Sequence, residues 1–173
     1  MKMKITIEKL IAGFVSVVLL IPCISTADLT IHESAELLAG DGNEEDEFGY
    51  SVCISGDTAI IGARYDDDYG DESGSAYVFK IVALQNAKLV AGDAAADDYF
   101  GYSVSISGDY AVVGAYGDDD GGSLSGSAYI FIRDGTSWSQ QAKLVADDAA
   151  TNDRFGTSVS ISGDYALVGS PYD

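Results

Sequence analysis

Small and apolar residues alternate over Ser51-Val52-Cys53-Ile54-Ser55, and the same alternation returns at Ser103-Val104-Ser105-Ile106-Ser107 and Ser158-Val159-Ser160-Ile161-Ser162. A period of two puts successive side chains on opposite faces, so each run predicts a β-strand with one apolar face and one small, close-packing face. Each run is followed by Gly-Asp, a turn signal whose glycine accepts positive φ. A continuous apolar run then follows at residues 59–63, 111–115 and 166–170.

The alternation belongs to a longer repeat. Phe48-Gly-Tyr-Ser-Val-Cys-Ile-Ser-Gly-Asp57 recurs at Phe100 to Asp109 and at Phe155 to Asp164, at spacings of 52 and 55 residues. After an acidic stretch come Gly-Ser-Ala-Tyr-Val-Phe at Gly74 to Phe79 and its near copy at Gly126 to Phe131, then Ala-Lys-Leu-Val-Ala at Ala87 and Ala142. Four short β-rich runs separated by Gly, Ser and Asp predict a four-stranded antiparallel meander per repeat. A four-strand period near 50 residues predicts an all-β chain of β-propeller blades, each burying its faces only against its neighbours. The expected layout is an outer strand at 29–40, blades at 48–91 and 100–146, and a partial blade at 155–173. That is eleven strands, too few to close a ring alone. The expected architecture is therefore an incomplete propeller or a fragment of one.

Phe-Gly opening the first strand, Ile-Gly-Ala or Val-Gly-Ala closing the second, and Gly-Ser-Ala-Tyr-Val-Phe as the third resemble FG-GAP repeats. That repeat builds the integrin alpha-subunit propeller and many bacterial and archaeal exported proteins. The resemblance spans residues 35 to 173 and implies a propeller used for extracellular recognition and cell adhesion, often with bound calcium. The family's calcium loop, Asp-x-Asp-x-Asp-Gly between first and second strands, is replaced here by Ser-Gly-Asp at Ser55, Ser107 and Ser162. One carboxylate cannot supply the six to eight oxygens calcium takes, so the family's site does not transfer to these turns.

Charge narrows the partners. The chain carries 28 acids against 9 Lys and Arg, a formal charge of −19. Such a field repels nucleic acid and anionic lipid and attracts cations or basic partners. Lys2, Lys4 and Lys9 precede an apolar run from Leu10 to Ile21, and Ser25-Thr26-Ala27 supplies the small residues of a cleavage site. This order predicts a secretory signal peptide over 1–27 and a secreted or cell-surface domain over 28–173, with no membrane segment after cleavage. The run is shorter than the roughly 20 residues that span a bilayer. Pro22 disfavours lipoprotein processing at Cys23. Cys53 is then the one cysteine of the mature chain and cannot form an internal disulfide.

In a meander the loops joining strands 2 to 3 and those joining strand 4 to the next strand 1 emerge on one edge, and most of the acids fall there. Asp66-x-Asp68-x-Gly70 and Asp118-x-Asp120-x-Gly122 resemble the first half of an oxygen-donor loop, which makes Asp66, Asp68, Asp118 and Asp120 the candidate Ca2+ ligands. The alternative is that these acids are solvated loop residues that keep an acidic protein soluble. His32 stands without a second histidine, so neither a histidine metal site nor a Ser-His-Asp relay has its parts. Cys53 occupies a place taken by Ser105 and Ser160 and is expected to be a packed small residue. Trp138 is expected to cap a blade's outer edge, and Tyr65, Tyr69, Tyr99, Tyr102 and Tyr116 border the acidic loops, where tyrosine suits recognition.

Three functions compete. The first is a recognition module for an extracellular protein or glycan, packing with further blades. The second is a purely structural array within a larger surface protein. The third is a carboxylate-based glycoside hydrolase, which the near-repeated placement of the acids argues against.

Overall fold

The computed structural model describes residues 18–20, 35–80 and 85–173. Twelve strands and no helix occur among them. The first blade is β3 (Ser51–Ser55), β4 (Thr58–Ala63), β5 (Ser75–Lys80) and β6 (Gln85–Leu89), paired in that order. The second is β7 (Ser103–Ser107), β8 (Tyr110–Ala115), β9 (Ser127–Asp134) and β10 (Ser137–Leu144). β11 (Ser158–Ser162) and β12 (Tyr165–Gly169) form the inner half of a third. All of these neighbours pair antiparallel. The turns at Gly56, Gly108 and Gly163 take φ of 60°, 60° and 56°, as two-residue hairpins require.

Ahead of these blades, β1 (Val18–Leu20) pairs antiparallel with β2 (Ala35–Leu37). The strand expected at 29–40 is seen from residue 35, and residues 29–34 lie outside the described part. The twelfth strand, β1, falls inside the segment expected to be a leader. β2 holds the fourth-strand place of a preceding blade. Leu37 packs with Phe48, Ile61, Tyr77 and Phe79. Leu89 packs with the corresponding Phe100, Val113, Tyr129 and Phe131.

The core lies between blades rather than within one. Ile60, Ala76 and Val78 of the first blade meet Phe100, Val104, Ile106, Val113, Tyr129 and Phe131 of the second. Phe100 sits edge-on to Tyr129 at 5.4 Å and to Phe131 at 5.9 Å, and Phe48 repeats the arrangement with Tyr77 and Phe79. Each fully buried aromatic contributes on the order of 2 kcal/mol by its removal from water. The alternation of the first strands is confirmed, but its outcome depends on position: Val104 and Ile106 are buried, whereas Val52 and Ile54 are exposed, with no complete blade over them among the described residues.

The recurrent Phe-Gly, Gly-Ala and Gly-Ser pairs are spent on the joints. Gly74 bridges to Phe100 and Gly126 to Phe155 in parallel fashion, each locking one blade's third strand to the next blade's first. Ser51 Oγ donates to the Gly101 carbonyl at 2.7 Å, and Ser103 Oγ to the Gly156 carbonyl at 2.8 Å. A methyl group on Gly62 or Gly114 would fall on those same carbonyls. These positions demand glycine because another backbone lies against them.

Candidate functional site

The loops after β4 and β8 and those after β6 and β10 share one edge, as the meander requires. The Asp97 N–H donates to the Asp71 carbonyl at 2.7 Å, the Tyr99 N–H to Glu72 at 3.1 Å and the Phe100 N–H to Ser73 at 3.0 Å. Asn152, Arg154 and Phe155 repeat the pattern against Ser123, Leu124 and Ser125. Each acidic loop is thus stitched to the loop of the preceding blade.

The structure divides the four candidate metal ligands into two kinds. Asp66 and Asp118 are buried, while Asp68 and Asp120 are exposed. In the first blade Lys88 Nζ lies 3.0 Å from Asp41, 2.9 Å from Asp66 and 2.5 Å from Asp68. In the second, Lys143 Nζ lies 2.7 Å from Asp93, 2.7 Å from Asp118 and 2.6 Å from Asp120. A tyrosine completes each cage: the Tyr77 hydroxyl donates to Asp66 Oδ2 at 2.6 Å and the Tyr129 hydroxyl to Asp118 Oδ2 at 2.7 Å. One carboxylate oxygen from each of Asp93, Asp118 and Asp120 lies within 4.8 Å of the others, a spacing a metal could bridge, and the lysine ammonium reaches all three. Three carboxylates and a phenol fall short of calcium's usual shell, and an ion entering here must displace the ammonium.

The electrostatics follow from that geometry. Burial works against the charge on Lys143, but hydrogen bonds to Asp118, Asp120 and Asp93 outweigh it and raise the pKa; Lys88 behaves alike through Asp68, Asp66 and Asp41. Burial and the neighbouring Asp66 push the Tyr77 hydroxyl up, and burial and Asp118 do the same for Tyr129. Burial would raise Asp41 and Asp93, yet the bonds from Lys88 and Lys143 and from the tyrosines hold both below the ordinary range.

A second set of acids corrects the expectation of solvated loops. Asp46, Asp98 and Asp153 are buried, and each carboxylate accepts the backbone N–H three residues earlier, from Asn43, Ala95 and Ala150 at 2.7, 2.8 and 2.7 Å. They shape the 4–1 loops by closing each onto a backbone N–H three residues back. Burial pushes Asp98 up to about 6, against the Ala95 bond and aided by the negative charge of Asp118.

The tyrosines assemble into a strip that crosses the blades. Tyr50 lies 5.0 Å from Tyr102, Tyr102 lies 4.5 Å from Tyr116, and Tyr116 stacks on Tyr99 at 5.0 Å and 8°. Tyr65 meets Tyr99 edge-on at 5.8 Å. The Arg64 guanidinium covers Tyr50 at 3.9 Å and Tyr65 at 4.3 Å while its Nε binds Glu47 at 2.7 Å. Arg154 lies over Tyr116 and Tyr172 at 5.7 and 5.0 Å. Tyr69 is exposed and outside these ring contacts.

The remaining candidates are structural. Cys53 Sγ donates to Ser105 Oγ at 4.0 Å across the blade joint, the packed role expected of it. Trp138 on β10 packs against the core from the outer edge with Arg133 5.8 Å away. His32 and Cys23 lie outside the described residues. Sequence reasoning missed Lys88, Lys143, Tyr77 and Tyr129. The signal was present: Lys in Ala-Lys-Leu-Val-Ala and Tyr in Ser-Ala-Tyr recur together, and they are direct cross-strand partners, Tyr77 with Lys88 and Tyr129 with Lys143.

None of the curated proteins compared matches the chain. The FG-GAP repeat family does, over residues 31–79, 84–131 and 138–173. Together these matches cover most of the chain, which therefore belongs to the FG-GAP repeat family.

Proposed function

We propose that this chain is an exported, non-enzymatic recognition module that presents the edge shared by its 2–3 and 4–1 loops to an extracellular protein or glycan. The observation that carries this reading is the Tyr–Arg strip from Tyr50 to Tyr172, which runs across three repeats beside an acidic rim. Rigid tyrosines offer contact area at low entropic cost, and the rim draws basic or hydroxyl-rich partners. The lysine cages serve the scaffold: each lysine does for the loop carboxylates what a bound calcium ion would otherwise do. Glycoside hydrolysis needs two carboxyl groups facing one bond, and Asp98, the acid pushed up to about 6, is buried beneath its loop.

The test is retention of the chain on immobilised basic proteins and on a glycan panel, with the double variant Tyr102→Ala, Tyr116→Ala beside the parent. Specific retention that falls at least about tenfold in the variant supports the reading. A parent that binds nothing, or a variant that binds equally, favours the structural array, a reading supported by the use of the motif glycines at blade joints.

A further inference from the structure

One residue per repeat stands just ahead of Phe-Gly with its backbone in the left-handed region: Glu47, Tyr99 and Arg154, at φ of 52°, 56° and 58°. Glycine fills such a place freely, yet each repeat puts a large side chain there. All three side chains enter the tyrosine strip. Glu47 binds Arg64, Tyr99 stacks on Tyr116, and Arg154 lies over Tyr116 and Tyr172. The backbone around the place is held alike in the second and third copies, where the Tyr99 N–H donates to the Glu72 carbonyl and the Arg154 N–H to that of Leu124. Strain accepted three times for three unlike side chains marks the place at which the strip is varied.

Arg154 differs from the other cations of the chain. Every other Lys and Arg among the described residues holds a carboxylate: Arg64 holds Glu47, Lys80 Asp57, Arg133 Asp109, and Lys88 and Lys143 their cages. The Arg154 guanidinium meets no carboxylate among these residues, and its Nε is buried without a hydrogen-bond partner. The repeat explains why. Tyr99, one repeat earlier, has the Glu72 and Asp97 carboxylates beside its hydroxyl and the rings of Tyr65 and Tyr116 around it. One repeat on, the places of Glu72, Asp97, Tyr65 and Tyr116 are taken by Leu124, Asn152, Gly117 and Pro171. Both acids are gone where the cation stands, in a chain with 28 acids against 9 Lys and Arg. All four counterparts belong to this chain, so the want of a carboxylate is written into the repeat itself.

We propose that Arg154 is the anion anchor of the strip and takes the carboxylate of an acidic sugar within an otherwise neutral glycan. The assignment rests on the reading of the strip as a recognition surface and names what that surface selects. A guanidinium offers a carboxylate two parallel hydrogen bonds, and the Tyr116 and Tyr102 rings beside it suit the C–H faces of adjoining sugars. One unpaired cation matches one carboxylate. The charge of −19 turns away a polyanion, and a peptide rich in acids brings more carboxylates than the strip can pair.

Binding of the full chain to matched immobilised oligosaccharides tests this, with glucuronate against glucose and galacturonate against galactose at one place in a neutral glycan, beside a peptide bearing a single glutamate. The parent is expected to bind the uronate member of a pair at least about tenfold more tightly, as one charge-assisted pair supplies. Arg154→Gln should bind both members alike. So should Leu124→Glu, which keeps Arg154 and returns the carboxylate that Glu72 supplies one repeat earlier; the backbone accepts glutamate at that place, with φ of 53° at Glu72 and 56° at Leu124. Circular dichroism verifies the fold of both variants. A parent that binds both members of each pair equally overturns the anchor and leaves the recognition surface standing, whereas a parent that binds neither overturns the anchor and the glycan reading together. A preference that survives in either variant, or tighter binding to the peptide than to the uronates, also overturns the proposal.

Discussion

Tyr129 and Lys143 face each other across β9 and β10, and both close on one oxygen, Oδ2 of Asp118, at 2.7 Å each. The pair turns a carboxylate that loop composition would place in solvent into a buried anchor. The same arrangement stands 52 to 55 residues earlier with Tyr77, Lys88 and Asp66.

Removing the ammonium should expose the cost of the acids it serves. Lys143→Met leaves three carboxylates facing one another and is expected to lower stability by about 2 kcal/mol. Calcium should then raise the melting temperature of the variant above the effect of sodium chloride at equal ionic strength, while the parent responds to both alike. Thermal denaturation of both chains in both salts decides it.

The four candidate ligands should separate by burial. Asp66→Ala and Asp118→Ala each remove the buried acceptor of a tyrosine hydroxyl and one of a lysine's three carboxylates, at an expected cost of about 2 to 3 kcal/mol. Asp68→Ala and Asp120→Ala remove exposed members of the cages and should cost less than about 1 kcal/mol. Urea denaturation of the four variants gives the comparison.

Asp98 has a raised pKa in the fold, so its neutral form is favoured there and its contribution is lost as pH rises through about 6. Asp98→Asn keeps an acceptor for the Ala95 N–H and removes the charge near Asp118. The variant should match the parent near pH 4 and exceed it at neutral pH by roughly 1 kcal/mol, or about 2 to 4 °C in melting temperature. Melting curves across that range test the sign as well as the size.

Glycines of two kinds should respond differently to alanine. At Gly114 the added methyl meets the Gly156 carbonyl, and the joint must open at an expected cost of about 3 kcal/mol. At Gly108 the φ is 60° with no atom within 4 Å of the added methyl, so the cost is conformational, about 1 kcal/mol. Equal losses in chemical denaturation would show that the close approach at the joint is immaterial.

The fold was legible because its signals are local and repeated. Alternation at Ser103 to Ser107, the Gly-Asp turns and the spacing of Phe48, Phe100 and Phe155 specify strands, hairpins and blades without reference to distant residues. The loops were legible only as acidic. Whether Asp118 is solvated or buried depends on Lys143, 25 residues away, and on a cross-strand register that composition does not encode. Asp98 looked like any loop acid, and its burial depends on an N–H three residues back and a neighbouring loop. Of the tyrosine strip, Tyr65, Tyr99, Tyr102 and Tyr116 were anticipated singly, Tyr50 and Tyr172 were not, and Tyr69 stands outside it; the members join only when blades stack.

Phe100 belongs to the second blade by sequence and to the first by packing, since it fills the core against Ile60 and Val78. A blade made first therefore stays unfinished until the next has emerged. During synthesis the chain must remain open over about one repeat before any core closes. Once formed, the array should fray from its outer faces inward. The amides of β4, β8 and β9 would be the last to exchange with deuterium, and β12 among the first.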